Sequence, residues 1–174
     1  GITTREIVAA AGQRNASAVS YHFGSRQGLL LEILARRGGP VDEERGRRRA
    51  ALGDRPDTAE LVRCLVAPYA ALAAQPDGRA YVRIVAQLRG RFAAWRVASD
   101  AATTKHLAGI LDELEARPPA SPAVRRQRVV GLIMLLTASA AERARGLDDG
   151  DDPELDHDTW VDDLVAMCAA VVTA

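Results

Sequence analysis

Residues 3–26 read TTREIVAAAGQRNASAVSYHFGSR, and this stretch decides the fold class. Thr3 and Glu6 have the spacing of a capping box, in which each side chain accepts a hydrogen bond from the other residue's backbone N–H. A first helix is therefore predicted from Thr3 to Ala11. Gly12 follows at the position where helices often end in a left-handed backbone conformation, which glycine adopts at little cost.

Two more helices are predicted before residue 40. Asn15 is expected to cap a short helix over residues 16–22, and Ser25 to cap a third helix over residues 26–37. The Gly-Gly-Pro sequence at residues 38–40 is expected to break that helix. Two short helices joined by a tight turn pack with a third as a helix-turn-helix, whose second helix fits the major groove of DNA. By pattern alone, an ordinary helical corner with a contact face of small residues fits equally well.

The rest of the chain has helical periodicity, and the alternating patterns typical of strands are absent from the sequence. Aromatic residues make up only 4% of the chain, so the core depends mainly on Ala, Leu and Val, of which Ala and Leu favour helix. An all-α fold is predicted, with Pro68 expected to kink one helix. The further helices are predicted over residues 41–52, 58–74, 79–89, 91–117, 123–145 and 158–172.

The formal charge sums to zero but is distributed unevenly. Residues 1–50 carry nine arginines and five acidic residues, whereas residues 148–174 carry nine acidic residues and neither Lys nor Arg. The basic amino-terminal end fits an anionic partner such as nucleic acid. The acidic segment 148–156 lacks the Gly and Glu offsets of a calcium loop, so it is interpreted as a solvated loop and no metal site is predicted.

Cys64 and Cys168 lie in apolar stretches without metal-ligand spacing and are interpreted as buried free thiols. Neither a signal peptide nor an apolar run of about 18 residues is visible, so a cytoplasmic protein without membrane contact is expected. The sequence lacks the motifs of phosphate loops, zinc enzymes and nucleophile elbows. The chain is therefore not expected to be an enzyme or to hold a cofactor, and a helical enzyme is the alternative from another class.

Specific residue identities then favour the helix-turn-helix over an ordinary helical corner. Residues 3–12 (TTREIVAAAG), residues 21–26 (YHFGSR) and the pair Leu29-Leu30 closely resemble the signature of the TetR family of bacterial transcriptional regulators. The resemblance covers about residues 2–34. It implies that the amino-terminal part of the chain binds double-stranded DNA.

The roles of individual DNA-binding residues carry over from the family to matching positions. Thr3 and Thr4 match positions that contact phosphate at the start of the first motif helix. Tyr21 and His22 match the phosphate-contacting end of the recognition helix. Arg26 stands where the family usually has a lysine, and it keeps the positive charge that a phosphate contact needs.

Two features depart from the family pattern. The segment between Gly12 and Tyr21 is one residue longer, so candidates for base contact are chosen from the amino-terminal part of the recognition helix, which faces the bases. The resemblance also implies a helix before Gly1 that packs over Ile7. The base-contact candidates are Asn15, Ser17, Ala18 and Ser20, with Arg14 placed on either a base or a phosphate.

The resemblance implies a DNA-binding domain over residues 1–38 and a helical ligand-binding and dimerisation domain over residues 39–174. The last two long helices are the candidates for a four-helix dimer interface, and side chains of the middle helices are candidates for an apolar effector pocket. For both sets, the core of a single protomer is the alternative. The predicted interface residues are Leu132, Leu136, Trp160, Leu164, Met167 and Val171, and the predicted pocket residues are Tyr69, Phe92, Trp95, His106 and Met134.

The expected function is that of a ligand-responsive repressor that binds a palindromic operator as a homodimer. Its expected partners are double-stranded DNA, a second copy of the chain and an unidentified small molecule. A DNA-binding regulator without an effector is the alternative. The first function requires a cavity between the middle helices, whereas the second predicts a filled interior.

Overall fold

A computed structural model describes residues 3–15, 17–88 and 104–174. Within these residues the chain forms eight α-helices and one short 3₁₀ segment, and they contain no strand, so the predicted all-α class is confirmed. The helices are α1 (Thr4–Ala10), α2 (Ala18–Phe23), α3 (Arg26–Ala51), α4 (Thr58–Ala70), α5 (Pro76–Leu88), α6 (Lys105–Ala116), α7 (Pro122–Asp149) and α8 (His157–Thr173), with the 3₁₀ segment at Ala71–Ala74.

The first two helices follow the predicted capping pattern with one shift. Thr3 and Glu6 form the capping box of α1, and Gly12 takes the predicted left-handed backbone, at φ 67°. The second helix begins at Ala18, two residues later than predicted. The Asn15 side chain accepts a hydrogen bond from the Ser17 N–H at 2.9 Å, which forms a turn before the helix and does not cap its first residues.

The junction between α2 and α3 depends on a glycine. Ser25 caps α3 as predicted, because its Oγ accepts a hydrogen bond from the Gly28 N–H at 3.0 Å. A Cβ atom built on Gly28 would lie 1.9 Å from the carbonyl oxygen of Phe23. Only glycine therefore lets the end of α2 pack this closely against the first turn of α3.

The predicted helix break at residues 38–40 is wrong, because α3 continues through it as one helix of 26 residues. Pro40 is exposed and so is Arg36, whose carbonyl loses its helical N–H partner to the proline and can be hydrogen-bonded by water. Beyond the proline, Val41, Asp42 and Arg45 are buried against the body. Their tertiary contacts keep the helix continuous through a sequence of poor helix propensity.

The body helices lie close to their predicted positions but differ at their ends. The helix α4 begins at Thr58 as predicted and stops at Ala70, after which the chain continues as the 3₁₀ segment. The helix α5 begins three residues earlier than predicted. The helices α7 and α8 extend beyond both predicted ends. Only the last part of the predicted 91–117 helix lies within the described residues, as α6.

The core of the body lies between α4, α5, α7 and α8, with α3 and α6 packed on it. Leu61, Leu65, Leu132 and Leu164 are completely buried there. Both cysteines are buried free thiols, as predicted. In the described part of the chain no helix is long and apolar enough to cross a bilayer.

Candidate nucleic-acid interface and body cavity

The junction of α2 and α3 presents three predicted phosphate contacts to solvent. Tyr21 is 83% exposed at the end of α2, and the adjacent His22 is exposed too. Their rings meet edge to face, with centroids 4.9 Å apart and planes at 87°. Arg26 is the first residue of α3 and is exposed. A phenol, an imidazole and a guanidinium, all groups that donate to phosphate oxygens, therefore lie on one short segment.

The two threonines at the start of α1 are less available for phosphate contact than the motif indicates. The Thr3 hydroxyl and the Thr3 N–H both donate to Glu6 Oε2, at 2.6 and 2.7 Å. These two hydrogen bonds hold the pKa of the Glu6 carboxyl below its ordinary value. Thr4 is half-buried. A contact between the Thr3 hydroxyl and phosphate would therefore replace an existing charge-assisted hydrogen bond.

The predicted base-contacting residues differ in how far they are exposed and in where they lie. Ser17 and Ser20 are exposed and lie three residues apart, which places them on one face at the start of α2. Ala18 is half-buried beside Val19, which is in the core. Asn15 and Arg14 are exposed in the turn before α2. There the side-chain oxygen of Asn15 already accepts the hydrogen bond from the Ser17 N–H. The two serines are thus the best placed of the set for close approach to base edges.

Exposed arginines occur on each part of this amino-terminal region. Arg5, Arg14, Arg26 and Arg36 are all exposed, on α1, the turn and α3. Arg37 is exposed as well but is paired with an aspartate of α5 at 3.0 Å. A surface with this excess of guanidinium groups favours the binding of a polyanion, with an affinity that falls as salt rises.

A small cavity of about 60 Å³ lies between α3, α4, α5, α6 and α7. Aliphatic side chains from α3, α5, α6 and α7 make up most of its described lining. Its polar lining residues are Arg45, Tyr69, Tyr81 and Thr137. An apolar cavity with a few polar groups is the usual form of a small-molecule site.

Arg45 brings a buried positive charge to the cavity wall. Its side chain is only 7% exposed, its Nε donates to the Leu65 carbonyl at 3.2 Å, and its Nη1 lies 3.9 Å from Asp42 Oδ1. Burial lowers the pKa of the guanidinium and the Asp42 carboxylate opposes this shift. Arginine stays protonated under such conditions, so the charge is retained.

Asp42 also joins α3 to the start of α6. Its two carboxylate oxygens accept hydrogen bonds from the backbone N–H groups of His106 and Leu107, each at 2.8 Å. The carboxylate therefore caps α6 from another helix and compensates the partial positive charge at that end. Close packing supports the contact, since a Cβ atom on Gly46 would lie 2.6 Å from the His106 ring.

The Tyr69 hydroxyl is a buried polar group without a hydrogen-bond partner among the described residues. The side chain is 5% exposed, and its ring lies 6.5 Å from the Tyr81 ring. Burial raises the pKa of Tyr69 far above its ordinary value, so the phenol remains a neutral donor. In contrast, the Thr137 hydroxyl in the same wall donates to the Ile133 carbonyl at 2.7 Å.

Residues 63–171 match the family model described as tetracyclin repressor-like, C-terminal domain. The chain belongs to the TetR family. The match covers more than half of the chain and includes α5 to α7 with most of α4 and α8, so most of the residues that line the cavity lie within the matched domain. The helices α1 and α2 precede the matched residues. No curated protein matches the chain.

Three of the five predicted pocket residues are described, and they lie in different surroundings. Tyr69 lines the cavity. Met134 does not, because it lies on the outer face of α7 and is 49% exposed. His106 packs against Gly46 of α3 outside the cavity, and its neighbour Leu107 lines the cavity in its place. Phe92 and Trp95 lie outside the described residues.

Sequence reasoning missed the most informative residue of the cavity, Arg45. It follows Leu34, Gly38 and Val41 at helical spacing, which puts it on the inward stripe of α3. The predicted break at residues 38–40 divided this stripe and hid the pattern. An arginine at a position where a continuous helix otherwise has apolar residues would have indicated a buried charge.

Three of the predicted interface residues lie in the core of the protomer. Leu132, Leu136 and Leu164 are at most 2% exposed within a single protomer of this TetR-family chain, so their side chains pack against its own helices. The other three predicted residues remain accessible. Met167 is 39% exposed, and Trp160 and Val171 are half-buried.

The outer faces of α7 and α8 carry a different set of apolar residues, several of which are exposed. Met134 and Val124 are 49% and 43% exposed on α7. Gly131 lies between them, and a Cβ atom there would contact Val171 of α8 at 3.2 Å. Together with Met167, these residues form the outer α7–α8 face, defined as residues 124, 131, 134, 167 and 171.

A second depression lies at the carboxyl end of α7, beside the acidic loop and the start of α8. It is open to solvent, and its lining includes Glu142, Asp151, Asp152 and Glu154. The Arg143 guanidinium lies 5.2 Å from the centre of the Trp160 ring. The acidic lining of this open depression suits an apolar molecule less well than the more enclosed body cavity does.

Proposed function

We propose that this chain is a dimeric transcriptional repressor that binds a palindromic operator through α1 and α2 and releases it when a small molecule occupies the body cavity. Membership of the TetR family supports a regulator built from a DNA-binding part and an effector-binding part. The presence of a cavity in the body favours the ligand-responsive form over a regulator without an effector.

The observation that carries the proposal is the continuity of α3. Arg26 at its first turn lies on the predicted DNA surface, and Arg45 near its other end lines the cavity. At about 1.5 Å per residue, the two are about 28 Å apart along one helix. A tilt of about 5° at the cavity end would therefore displace the DNA end by about 2.5 Å.

Such a displacement is large enough to matter for a dimer. Two recognition helices must reach successive major grooves about 34 Å apart, and contacts to phosphate and bases tolerate only small errors in this spacing. A ligand that prefers one tilt of α3 shifts the equilibrium between binding-competent and incompetent states by its differential affinity. This geometry supports a repressor that a ligand releases from its operator.

The dimer is proposed to form through the outer α7–α8 face. Its exposed methionines, Met134 and Met167, are adaptable apolar side chains suited to a contact between identical surfaces. Replacing Met134 with Glu is expected to shift the protein from dimer to monomer in sedimentation equilibrium without loss of helix content. The matched control is Arg126→Glu, since Arg126 is exposed on the same helix. A dimer that persists in the Met134→Glu variant would move the interface elsewhere.

The proposed DNA-binding function is tested with protein expressed from its complete gene. Binding to a pool of random duplexes at several salt concentrations should enrich a palindrome, with affinity falling steeply as salt rises. On that operator, Arg26→Ala should weaken binding and reduce the salt slope by about one, as expected for one lost phosphate contact. The exposed Arg126→Ala serves as control. A folded dimer that enriches no sequence would refute the proposal.

A further inference from the structure

The charges around the body cavity do not cancel. Arg45 is the only charged side chain in its described lining. Its nearest anion is Asp42, at 3.9 Å, whose two oxygens are already bound by the N–H groups at the start of α6. A helix N-terminus carries the equivalent of about half a positive charge. One carboxylate therefore faces a guanidinium and a helix end, and the group as a whole stays positive.

The second polar group at the cavity is a donor without an acceptor. The Tyr69 hydroxyl has no hydrogen-bond partner in the described part of the chain, and the phenol remains protonated because burial disfavours the phenolate. Thr137 offers no free proton, since its hydroxyl donates to the Ile133 carbonyl. An unmet donor beside an excess positive charge is complementary to an anion and not to a cation.

The size of the cavity limits the occupant. Its volume of about 60 Å³ is less than half of the roughly 150 Å³ that accepts benzene. The rest of the wall is aliphatic, so the body of the ligand has to be apolar. A short aliphatic chain with one terminal anionic group meets both conditions.

We propose that the effector is a short-chain aliphatic carboxylate, whose carboxylate group binds the Arg45 guanidinium and accepts a hydrogen bond from the Tyr69 hydroxyl. Its regulatory meaning rests on the proposed function, because only a DNA-binding regulator would convert this binding into operator release. The binding chemistry itself depends only on the cavity.

The test measures ligand binding without DNA. Acetate and propionate are titrated into the full-length protein by isothermal titration calorimetry, against acetamide, propionamide and propylamine of similar shape, with chloride holding the ionic strength constant. The carboxylates are expected to bind, and the neutral amides at least 10-fold more weakly. The amine is expected not to bind, since it would place a second cation beside Arg45.

Variants test the two assigned contacts. Tyr69→Phe is expected to weaken propionate binding about 5- to 10-fold, as for one lost hydrogen bond, and it removes no internal bond on which the fold depends. Arg45→Met is expected to weaken propionate binding by about 10- to 100-fold. Arg126→Met, an exposed arginine on α7, is the matched control and is expected to leave binding unchanged. If Arg45→Met fails to fold, Tyr69→Phe alone decides.

The result is separate from the test of DNA binding. Amides that bind as tightly as the carboxylates, or carboxylate binding unaffected by Tyr69→Phe, would overturn the inference even if the operator is found. Carboxylate binding that depends on both residues would support it even if no operator is enriched, and the regulatory proposal alone would then fail. Release of a selected operator by propionate but not by propionamide would support both.

Discussion

Removing the Tyr69 hydroxyl is expected to stabilise the protein. The hydroxyl is buried and has no hydrogen-bond partner in the described residues, so folding strips it of water without replacing the lost hydrogen bonds. A buried unsatisfied polar group of this kind costs about 1–3 kcal/mol. Phenylalanine keeps the ring and its contact with Tyr81, and the change in volume is small. Tyr69→Phe should therefore raise the free energy of unfolding by about 1–2 kcal/mol.

Thermal and urea unfolding of the wild type and the variant measure this difference. For a chain of this length, 1 kcal/mol corresponds to about 2–4 °C, so the midpoint should rise by about 2–8 °C. The control is Thr137→Val, which removes a hydroxyl from the same cavity wall. That hydroxyl is bonded to the Ile133 carbonyl, so its loss should destabilise the protein by about 1 kcal/mol. A lower midpoint for Tyr69→Phe would refute the argument, because the hydroxyl would then have a partner.

Three further predictions concern other parts of the fold. Asp42→Asn removes the charge that caps α6 and faces Arg45, and should lower the free energy of unfolding by about 3 kcal/mol, measured by urea denaturation; an unchanged midpoint would contradict this role of Asp42. Gly78→Ala should cost at least about 2 kcal/mol, because its Cβ would lie 2.1 Å from the Leu72 carbonyl oxygen; a neutral effect would contradict the packing of α5 on the 3₁₀ segment. Burial raises the pKa of Cys168 to about 12 and also raises that of Cys64, so neither thiol should react with a disulfide reagent at pH 8 until the protein unfolds. Because the unfolded thiols ionise near pH 9, stability should fall as pH rises above that value; rapid labelling of the native protein would exclude this burial.

Local sequence signals predicted the helix starts well. A Thr or Ser three residues before a hydrogen-bonding partner marks a cap through contacts that lie within one turn, and Thr3 and Ser25 both behave in this way. The same local reasoning failed at residues 38–40. There the propensity of Gly-Gly-Pro is overridden by burial of Val41 and Asp42, which lie further along the helix and depend on contacts distant in sequence.

The sequence did not separate the two sides of α7 either. A helix that is apolar nearly all round, as α7 is, has two apolar sides, and the sequence does not tell which side faces the core of its own protomer. Leu132 and Leu136 face α4, α5 and α8, whereas Met134, between them in sequence, faces outward. Only the positions of neighbouring helices separate these sides, and those positions depend on contacts distant in sequence.

The cavity could be predicted only in outline. Tyr69 was expected there because aromatic residues of middle helices often line such sites, but nothing local distinguishes an arginine that lines a cavity from one at the surface. Arg45 becomes informative once α3 is known to be continuous, because its register with Leu34 and Val41 then points it into the body.

The Tyr69 hydroxyl and the Arg45 guanidinium of the cavity would both contact the same bound anion. A protein could remove the unmet Tyr69 hydroxyl by one substitution to Phe and become more stable, so its retention at a site with excess positive charge favours a function that requires it. Binding of an anion would meet that donor and would also compete with Asp42 for Arg45. Asp42 also holds α3 against the start of α6, so an anion at Arg45 changes the balance of charge at the contact between these two helices. The chemistry of the ligand and the movement of the DNA-binding helices would then depend on the same few atoms.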